Sequence, residues 1–465
     1  MDGDGELRIE SDTLGQVRVP AGALWGAQTQ RAVENFPVSG LRLPRRLVRA
    51  LALVKKSAAL VNRATGALPA ALADAIAAAA SEVADGRHDD AFPVDVFQTG
   101  SGTSSHMNAN EVIANRAIQL LGGQVGSKTP VHPNDHVNQG QSSNDVFPTA
   151  VHLAAAEALE HDLLPALRKL EGAIGERARA FDDIVKIGRT HLMDAVPIRL
   201  GQELGGWAAM IGNAARRLEG TRPALWELAL GGTAVGTGFG AAPGFAEAVI
   251  ERLCEETGLP LRQAPNLCEA LAARDGLVEL SAALRGAAVS LIKVANDVRW
   301  LASGPRCGLG ELRLPELQPG SSIMPGKVNP VIPEMVVMVC AQIIGNDATV
   351  AWSGAAGSFE LNAMMPVMAW NVLQSIGLAS RACALFAERC VVGLEADAER
   401  CAALVEQSLA LATALAPRIG YDAAAAIARA SATTGRTVRE ICREQKVLPA
   451  EELDRLLDPR AMTGV

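Results

Sequence analysis

Apolar residues recur at intervals of three and four through most of the chain, and the clearest stretch lies past its middle. Leu277, Leu280, Leu284, Ala287, Leu291, Val294, Val298 and Leu301 form one seam, while Glu279, Arg285, Lys293 and Arg299 fall off it. This stripe predicts a long helical segment over about 267–302, packed in a helix bundle. Similar spacing predicts helices over about 47–84, from about Asn108, over 148–181 with a kink at Pro165, over 197–225 and over 331–390. The first forty residues are rich in Gly, Pro and turn residues and read as irregular with short extended pieces. A break at GLEAD (393–397) precedes a small helical unit, and no repeat of about 20–50 residues is visible. The pattern predicts a mostly α protein of three domains: a mixed domain over 1–140, a long central helical bundle over 141–396 and a small helical domain over 397–465.

Composition narrows the picture. The 465 residues are 49% hydrophobic but only 3% aromatic, so the core must be built from Ala, Leu, Val and Ile, which favours packed helices. Lys and Arg number 43 against 51 Asp and Glu, a net charge of −8 with no long basic run. That argues against a nucleic-acid or anionic-membrane partner and leaves room for a small anionic substrate. Eight cysteines are scattered without a C-x-x-C pair, as expected of reduced thiols in a cytoplasmic protein. The N-terminus MDGDGELRIE lacks the apolar run of a signal peptide. The apolar stretch from Val331 is cut by Glu334, Gln342 and Asn346, so no membrane span is expected.

Four polar segments carry the candidate chemistry: GSGTSSHMNANE (100–111), HPNDHVNQGQSSND (132–145), GRTHLMDAVP (188–197) and GSSIMPGKVNP (320–330). Each lies beside a long helix and is rich in hydroxyl and amide side chains, which converge well on carboxylates near helix N-termini. A phosphate loop is excluded, because six residues separate Gly320 from Lys327 and Val328 stands where a hydroxyl is required. His132 and His136 are four apart, but Pro133 breaks helical spacing and no Cys or Glu completes a zinc set. Neither a metal nor a cofactor is expected.

GSSIMPGKVNP resembles the signature of the fumarase/aspartase superfamily, whose members cleave C–O or C–N bonds to release fumarate. The resemblance runs from about Arg8 to the C-terminus, with several motifs in order. Within the superfamily the chain is most similar to the class II, metal-independent fumarate hydratases. His191 in GRTHLMDAVP carries that distinction, since aspartate ammonia-lyases usually have Gln there, and IGYDAAAAIA near the end leans the same way.

The resemblance implies Ser321 as the base that takes the C3 proton of malate, with backbone N–H groups near Gly320 and Gly326 and the Lys327 ammonium stabilising its alkoxide. It implies His191 as the proton donor through a water, oriented by Glu334. Substrate carboxylates would be held by Ser101, Gly102, Thr103, Ser142, Ser143, Asn144, Thr190, Ser322, Lys327, Val328 and Asn329. Thr103 and Ser143 can equally be read as helix caps. His132, Pro133, Asn134 and Asp135 resemble a second dicarboxylate site. His106 stands where family members usually have Asn, close to the presumed ligand contacts, and reads either as a neutral substitution or as a tuning of pH response or substrate choice. The implied activity is reversible hydration of fumarate to malate, with an ammonia-lyase or a lyase on another substituted succinate as the alternative. A non-catalytic scaffold is argued against by the intact Ser321, His191, Lys327, Asn329 and Glu334.

The family implies a homotetramer with a twenty-helix core. Chain geometry agrees: Asn144 and His191 bracket the pattern over 148–181, roughly 50 Å of helix at 1.5 Å per residue. A dicarboxylate spans about one-sixth of that, so an active site shared between antiparallel subunits resolves the geometry.

Overall fold

The computed structural model describes residues 6–464. A hairpin of β1 (Leu7–Asp12) and β2 (Gly15–Pro20) opens the chain, followed by helix α1 (Ala27–Asn35). Three longer helices come next: α2 (Arg45–Ala64), α3 (Ala70–Ala84) and α4 (Thr103–Leu120). Then come α5 (Ser143–Ala158) and α6 (Leu164–Ala180), and a hairpin of β3 (Val185–Thr190) and β4 (Met193–Arg199). Helices α7 (Leu200–Gly220), α8 (Phe245–Thr257) and α9 (Leu267–Ala272) lead to the long α10 (Asp275–Leu301), α11 (Val331–Ala355) and α12 (Met365–Arg389). Short helices α13 (Ala398–Gln407), α14 (Tyr421–Thr434), α15 (Val438–Glu444) and α16 (Ala450–Leu456) close the chain. The protein is mostly α, and among the described residues every sheet is two-stranded.

The seam on α10 is core: its eight apolar residues are all 5% exposed or less, and Glu279, Arg285 and Lys293 face solvent. Where element boundaries depart from the periodicity, local chemistry decides. α4 starts at Thr103 rather than Asn108, because Gly102 takes a left-handed φ of 75° at its N-cap. α5 starts at Ser143, five residues before Pro148, because Ser142 and Asp145 form a reciprocal capping box. The break at Pro165 is a single π-turn over Leu159–Leu163, the wider turn that relieves a ring clash with the preceding carbonyl. The 197–225 pattern loses its first residues to β4, and Gln202 then receives the Arg199 N–H at 2.9 Å to start α7. The 267–302 pattern is two helices, since Ala273 is extended. The 331–390 pattern is likewise two helices, parted by a tight hairpin pairing Gly357 with Asn362.

The chain divides into two compact units. The first comprises Met1–Pro165, Arg216–Gly286 and Ala341–Ala379, and the second Ala166–Ala215, Ala287–Cys340 and Ser380–Val465. In the first, α2 packs on α3, α5 and α8, and α4 packs on α3. In the second, Ile187 of β3 joins Val405, Leu411, Leu415, Ile441 and Leu457 in one apolar core beneath the C-terminal helices.

Candidate active site

In the first unit the segments 100–111 and 132–145 meet at the start of two helices. Ser101 Oγ lies 2.7 Å from Thr103 Oγ1, which lies 2.7 Å from Ser143 Oγ, a chain of three hydroxyls joining the N-termini of α4 and α5. Helix N-termini favour anions, and hydroxyls can turn to donate, so this row has the chemistry to receive a carboxylate. Its backbone admits only glycine at two points. A Cβ on Gly100 would lie 1.7 Å from the Ala363 carbonyl oxygen, and one on Gly102 would lie 2.5 Å from the Phe147 ring.

Ser142 caps α5, accepting the Asn144 N–H at 3.2 Å, so its hydroxyl already has a structural role. Thr103 and Ser143 sit one position inside their helices and cap neither through a side chain. Asn144 Nδ2 donates to the Ala234 carbonyl at 2.9 Å.

Below the hydroxyl row lie groups that the sequence reading did not single out. Asp145 is fully buried and accepts backbone N–H bonds from Ser142, Gly231 and Thr233 at 3.0–3.1 Å. Burial pushes its carboxyl up to about 6. Thr233, read from sequence as part of a Gly-rich turn, is buried with φ 51° and a hydroxyl that has no partner. Lys55 is also fully buried, and its Nζ meets three acceptors: His106 Nε2 at 2.7 Å, Asn138 Oδ1 at 2.9 Å and Gln141 Oε1 at 2.9 Å. Three N–H donors meet three acceptors, so the ammonium is saturated. A lysine in an apolar heptad gives no sequence signal of this. His106 is 1% exposed, and burial together with the Lys55 charge holds its imidazole well below its ordinary value. Of the two readings of His106, a neutral substitution or a tuning of pH response, its burial against Lys55 favours the first.

The segment 132–135 is structured by its own side chain. His132 Nδ1 accepts the N–H groups of Asn134 and Asp135, both at 3.2 Å, and caps the short π-turn Pro133–Val137. The His132 N–H in turn donates to His136 Nδ1 at 2.8 Å.

In the second unit, Thr190 and Met193 pair across the β3–β4 hairpin, leaving His191 and Leu192 as a two-residue turn with φ 57° and 62°. That is the geometry of a type I′ turn, which normally takes Asn-Gly; here it costs roughly 1–2 kcal/mol per residue. The turn thrusts Thr190, His191, Leu192 and Met193 into solvent, with Leu192 and Met193 at least 70% exposed.

The 320–330 loop closes on itself. Gly320 N–H donates to the Lys327 carbonyl at 2.7 Å, and Asn329 Nδ2 donates to the Gly320 carbonyl at 2.8 Å. Ser321 Oγ accepts the backbone N–H groups of Ile323 at 3.2 Å and Met324 at 3.0 Å. Two fixed N–H dipoles aimed at a hydroxyl oxygen stabilise its anionic form, the requirement for a serine base. These donors are Ile323 and Met324, rather than the N–H groups beside Gly320 and Gly326. Ser322, Lys327 and Val328 are exposed, and among the described residues the Lys327 ammonium has no carboxylate partner. Glu334 stands half-buried in the first turn of α11. Among the described residues, neither Glu334 nor Ser321 bonds to His191 within the chain. No three His, Cys, Asp or Glu among them are grouped to hold an ion.

The protein is a helical scaffold carrying hydroxyl-rich turns and a serine under paired N–H donors. Residues 15–345 match the lyase family model, and residues 411–464 match the fumarase C C-terminus. The class II fumarate hydratase of Mycobacterium tuberculosis is 55% identical over 460 residues, covering 98% of this chain and 96% of that one. That of Thermosynechococcus vestitus is 53% identical, covering 99% and 98%. The class II fumarase of Schistosoma mansoni superposes with a TM-score of 0.95 at 40% identity, covering 98% and 99%. The chain belongs to the lyase family, in its class II fumarate hydratase branch.

Proposed function

We propose that the chain is a hydro-lyase that reversibly hydrates fumarate to (S)-malate in the tricarboxylic acid cycle. The observation that carries this reading is Ser321 Oγ beneath the Ile323 and Met324 N–H groups, in a chain of this family. Ser321 removes the C3 proton of malate. The electron pair spreads onto the neighbouring carboxylate as an aci-carboxylate, which Lys327 and Asn329 neutralise and bond. The C2 hydroxyl then leaves as water, taking a proton relayed from His191, which Glu334 orients. One proton goes to serine and one comes from histidine, so malate becomes fumarate plus water. Ser101, Thr103, Ser143, Asn144 and Thr190 hold the carboxylates, with Gly102, Ser142, Ser322 and Val328 shaping the site. Residues 132–135 form the second dicarboxylate site.

The assembly is proposed as a homotetramer with active sites shared between chains. Exposure of the machinery supports this: Thr190 and His191 lie on a solvent-facing turn beside Leu192 and Met193, and Ile323 in the serine loop is 83% exposed. Only 33% of the most apolar window of α11 is buried within the chain, although the helix is long and apolar enough to cross a membrane. A bundle partner covers such a helix, and its Asn346, bonded to Gln374 Oε1 at 2.8 Å and Ser375 Oγ at 3.0 Å, suits a protein core. The three-domain division at 140/141 and 396/397 belongs to the same proposal. So does a cytoplasmic location, with which eight unpaired cysteines agree.

The test is an assay of pure protein for fumarate appearance from L-malate and, separately, from L-aspartate. Turnover of malate alone is expected. Turnover of aspartate instead assigns an ammonia-lyase, and no turnover of any succinate derivative by folded oligomer assigns a scaffold.

A further inference from the structure

Lys55 takes part in no step of the reaction above, yet both arms of the hydroxyl row are tied to its side-chain nitrogen. The side chain leaves α2 for the interior of the first unit and has no exposure to solvent. Its three bonds go to His106, Asn138 and Gln141, none of them an anion. Burying an ammonium among neutral acceptors is costly, so stability alone does not account for a lysine here. Its worth lies in what the three partners carry.

His106 stands one turn past Thr103 on α4. Asn138 and Gln141 belong to the turn that runs into Ser142 and Ser143. The same two carboxamides lace that turn together. Asn138 Nδ2 donates to the Gln141 carbonyl at 3.1 Å, and Gln141 Nε2 donates to the Val137 and Gln139 carbonyls, both at 3.2 Å. With their N–H groups committed to carbonyls, the two amides turn their oxygens to Lys55. Two turns further along α2, Asn62 Nδ2 donates to the Gln139 carbonyl at 3.2 Å, so this helix grips the turn twice.

The Thr103 Oγ1–Ser143 Oγ contact of 2.7 Å closes a ring that runs through Lys55, His106, Thr103, Ser143 and Gln141. Thr103 and Ser143 are only half-buried, and a hydroxyl rotates to suit its neighbours, so their own contact does not fix the two helix ends. The saturated nitrogen beneath them does.

We propose that Lys55 is a positioning residue for substrate binding. Bonded to α4 through His106 and to the turn before α5 through Asn138 and Gln141, it sets the spacing of the Thr103 and Ser143 hydroxyls that receive a substrate carboxylate. Lys55 itself touches no substrate. The row holds the carboxylate alike in malate and in the transition state, so loss of the spacing is read in KM rather than in kcat. This inference rests on the fumarate hydratase reading and deepens it.

Steady-state kinetics on L-malate compare the full-length parent with Lys55→Met, Gln141→Met and the double variant, each checked for parental circular dichroism and oligomeric state. Lys55→Met should raise KM by about tenfold or more, and Gln141→Met by about threefold or more, with kcat within about threefold of the parent. Because Lys55 acts through Gln141, the double variant should be little worse than Lys55→Met alone, whereas general loosening of the fold would multiply the two effects. Three outcomes overturn the proposal: unchanged KM in folded Lys55→Met, a loss in kcat in place of KM, or multiplied effects in the double variant. Where Lys55→Met does not fold, Gln141→Met decides, and an unchanged KM there overturns it. A parent without malate turnover defeats the fumarate hydratase reading itself; an active parent with indifferent variants defeats only the role of Lys55.

Discussion

Arg189 places its two terminal nitrogens on the two oxygens of Glu311, at 2.7 and 3.1 Å, and that carboxylate has no exposure to solvent. Lys186, paired with Glu203 at 3.1 Å, approaches the same carboxylate at 3.6 Å, so the buried anion anchors β3 at Arg189, one residue before Thr190 and two before His191. A bidentate pair fixes orientation as well as position. Glu311→Gln should leave Arg189 without its carboxylate partner, while Lys186 keeps Glu203, costing about 3 kcal/mol of stability. It should also lower kcat more than it raises KM, because the His191 turn loses its anchor. Urea unfolding and steady-state kinetics on malate check the two effects.

Ser321→Ala removes the oxygen to which Ile323 and Met324 point. We expect kcat to fall by about 10³-fold or more with KM little changed, since the hydroxyl acts mainly in the transition state. Near-parental kcat would remove Ser321 from the role of base.

His191→Asn and Ser321→Ala, each inactive alone, should complement when co-refolded. With random mixing of chains about a quarter of the sites regain both residues if these come from different chains. A confirmed mixed tetramer without activity would place both residues on one chain.

His106 makes a pH prediction about stability rather than binding. Its folded-state pKa is depressed, so below about 6.5 the unfolded chain takes up a proton that the folded chain refuses. Stability contributed by this group therefore falls as pH drops through that value, by at most about 1.4 kcal/mol per pH unit. His106→Asn should reduce the loss between pH 7 and pH 5, measured by urea unfolding at both. The pH profile of KM should be the same in the variant and the parent.

Gly102→Ala should destabilise by about 1–3 kcal/mol, because a left-handed φ of 75° coincides with contact against the Phe147 ring. The midpoint of thermal unfolding reports it.

Helical class and the α10 seam were legible because burial of a long helix writes a period of three and four directly into the chain. Helix starts were less legible. Ser142 and Asp145 outrank Pro148 as the beginning of α5, and only their reciprocal bonding reveals it. The candidate residues stood out as motifs, but their local roles did not. Ser142 and His132 cap turns, and the donors on Ser321 come from residues two and three positions on. Lys55, Asp145 and Thr233 were invisible, because their significance lies in partners 51 to 88 residues away that no local pattern connects.

Most of the apolar window of α11 is left uncovered by its own chain, and this bears on biogenesis. A newly made copy carries a sticky rod that must find its mates before it finds strangers. Recovery from denaturant should then peak at an intermediate protein concentration. In very dilute solution the rod waits too long for a partner, and in concentrated solution disordered clumping, which rises with a higher power of concentration, overtakes assembly.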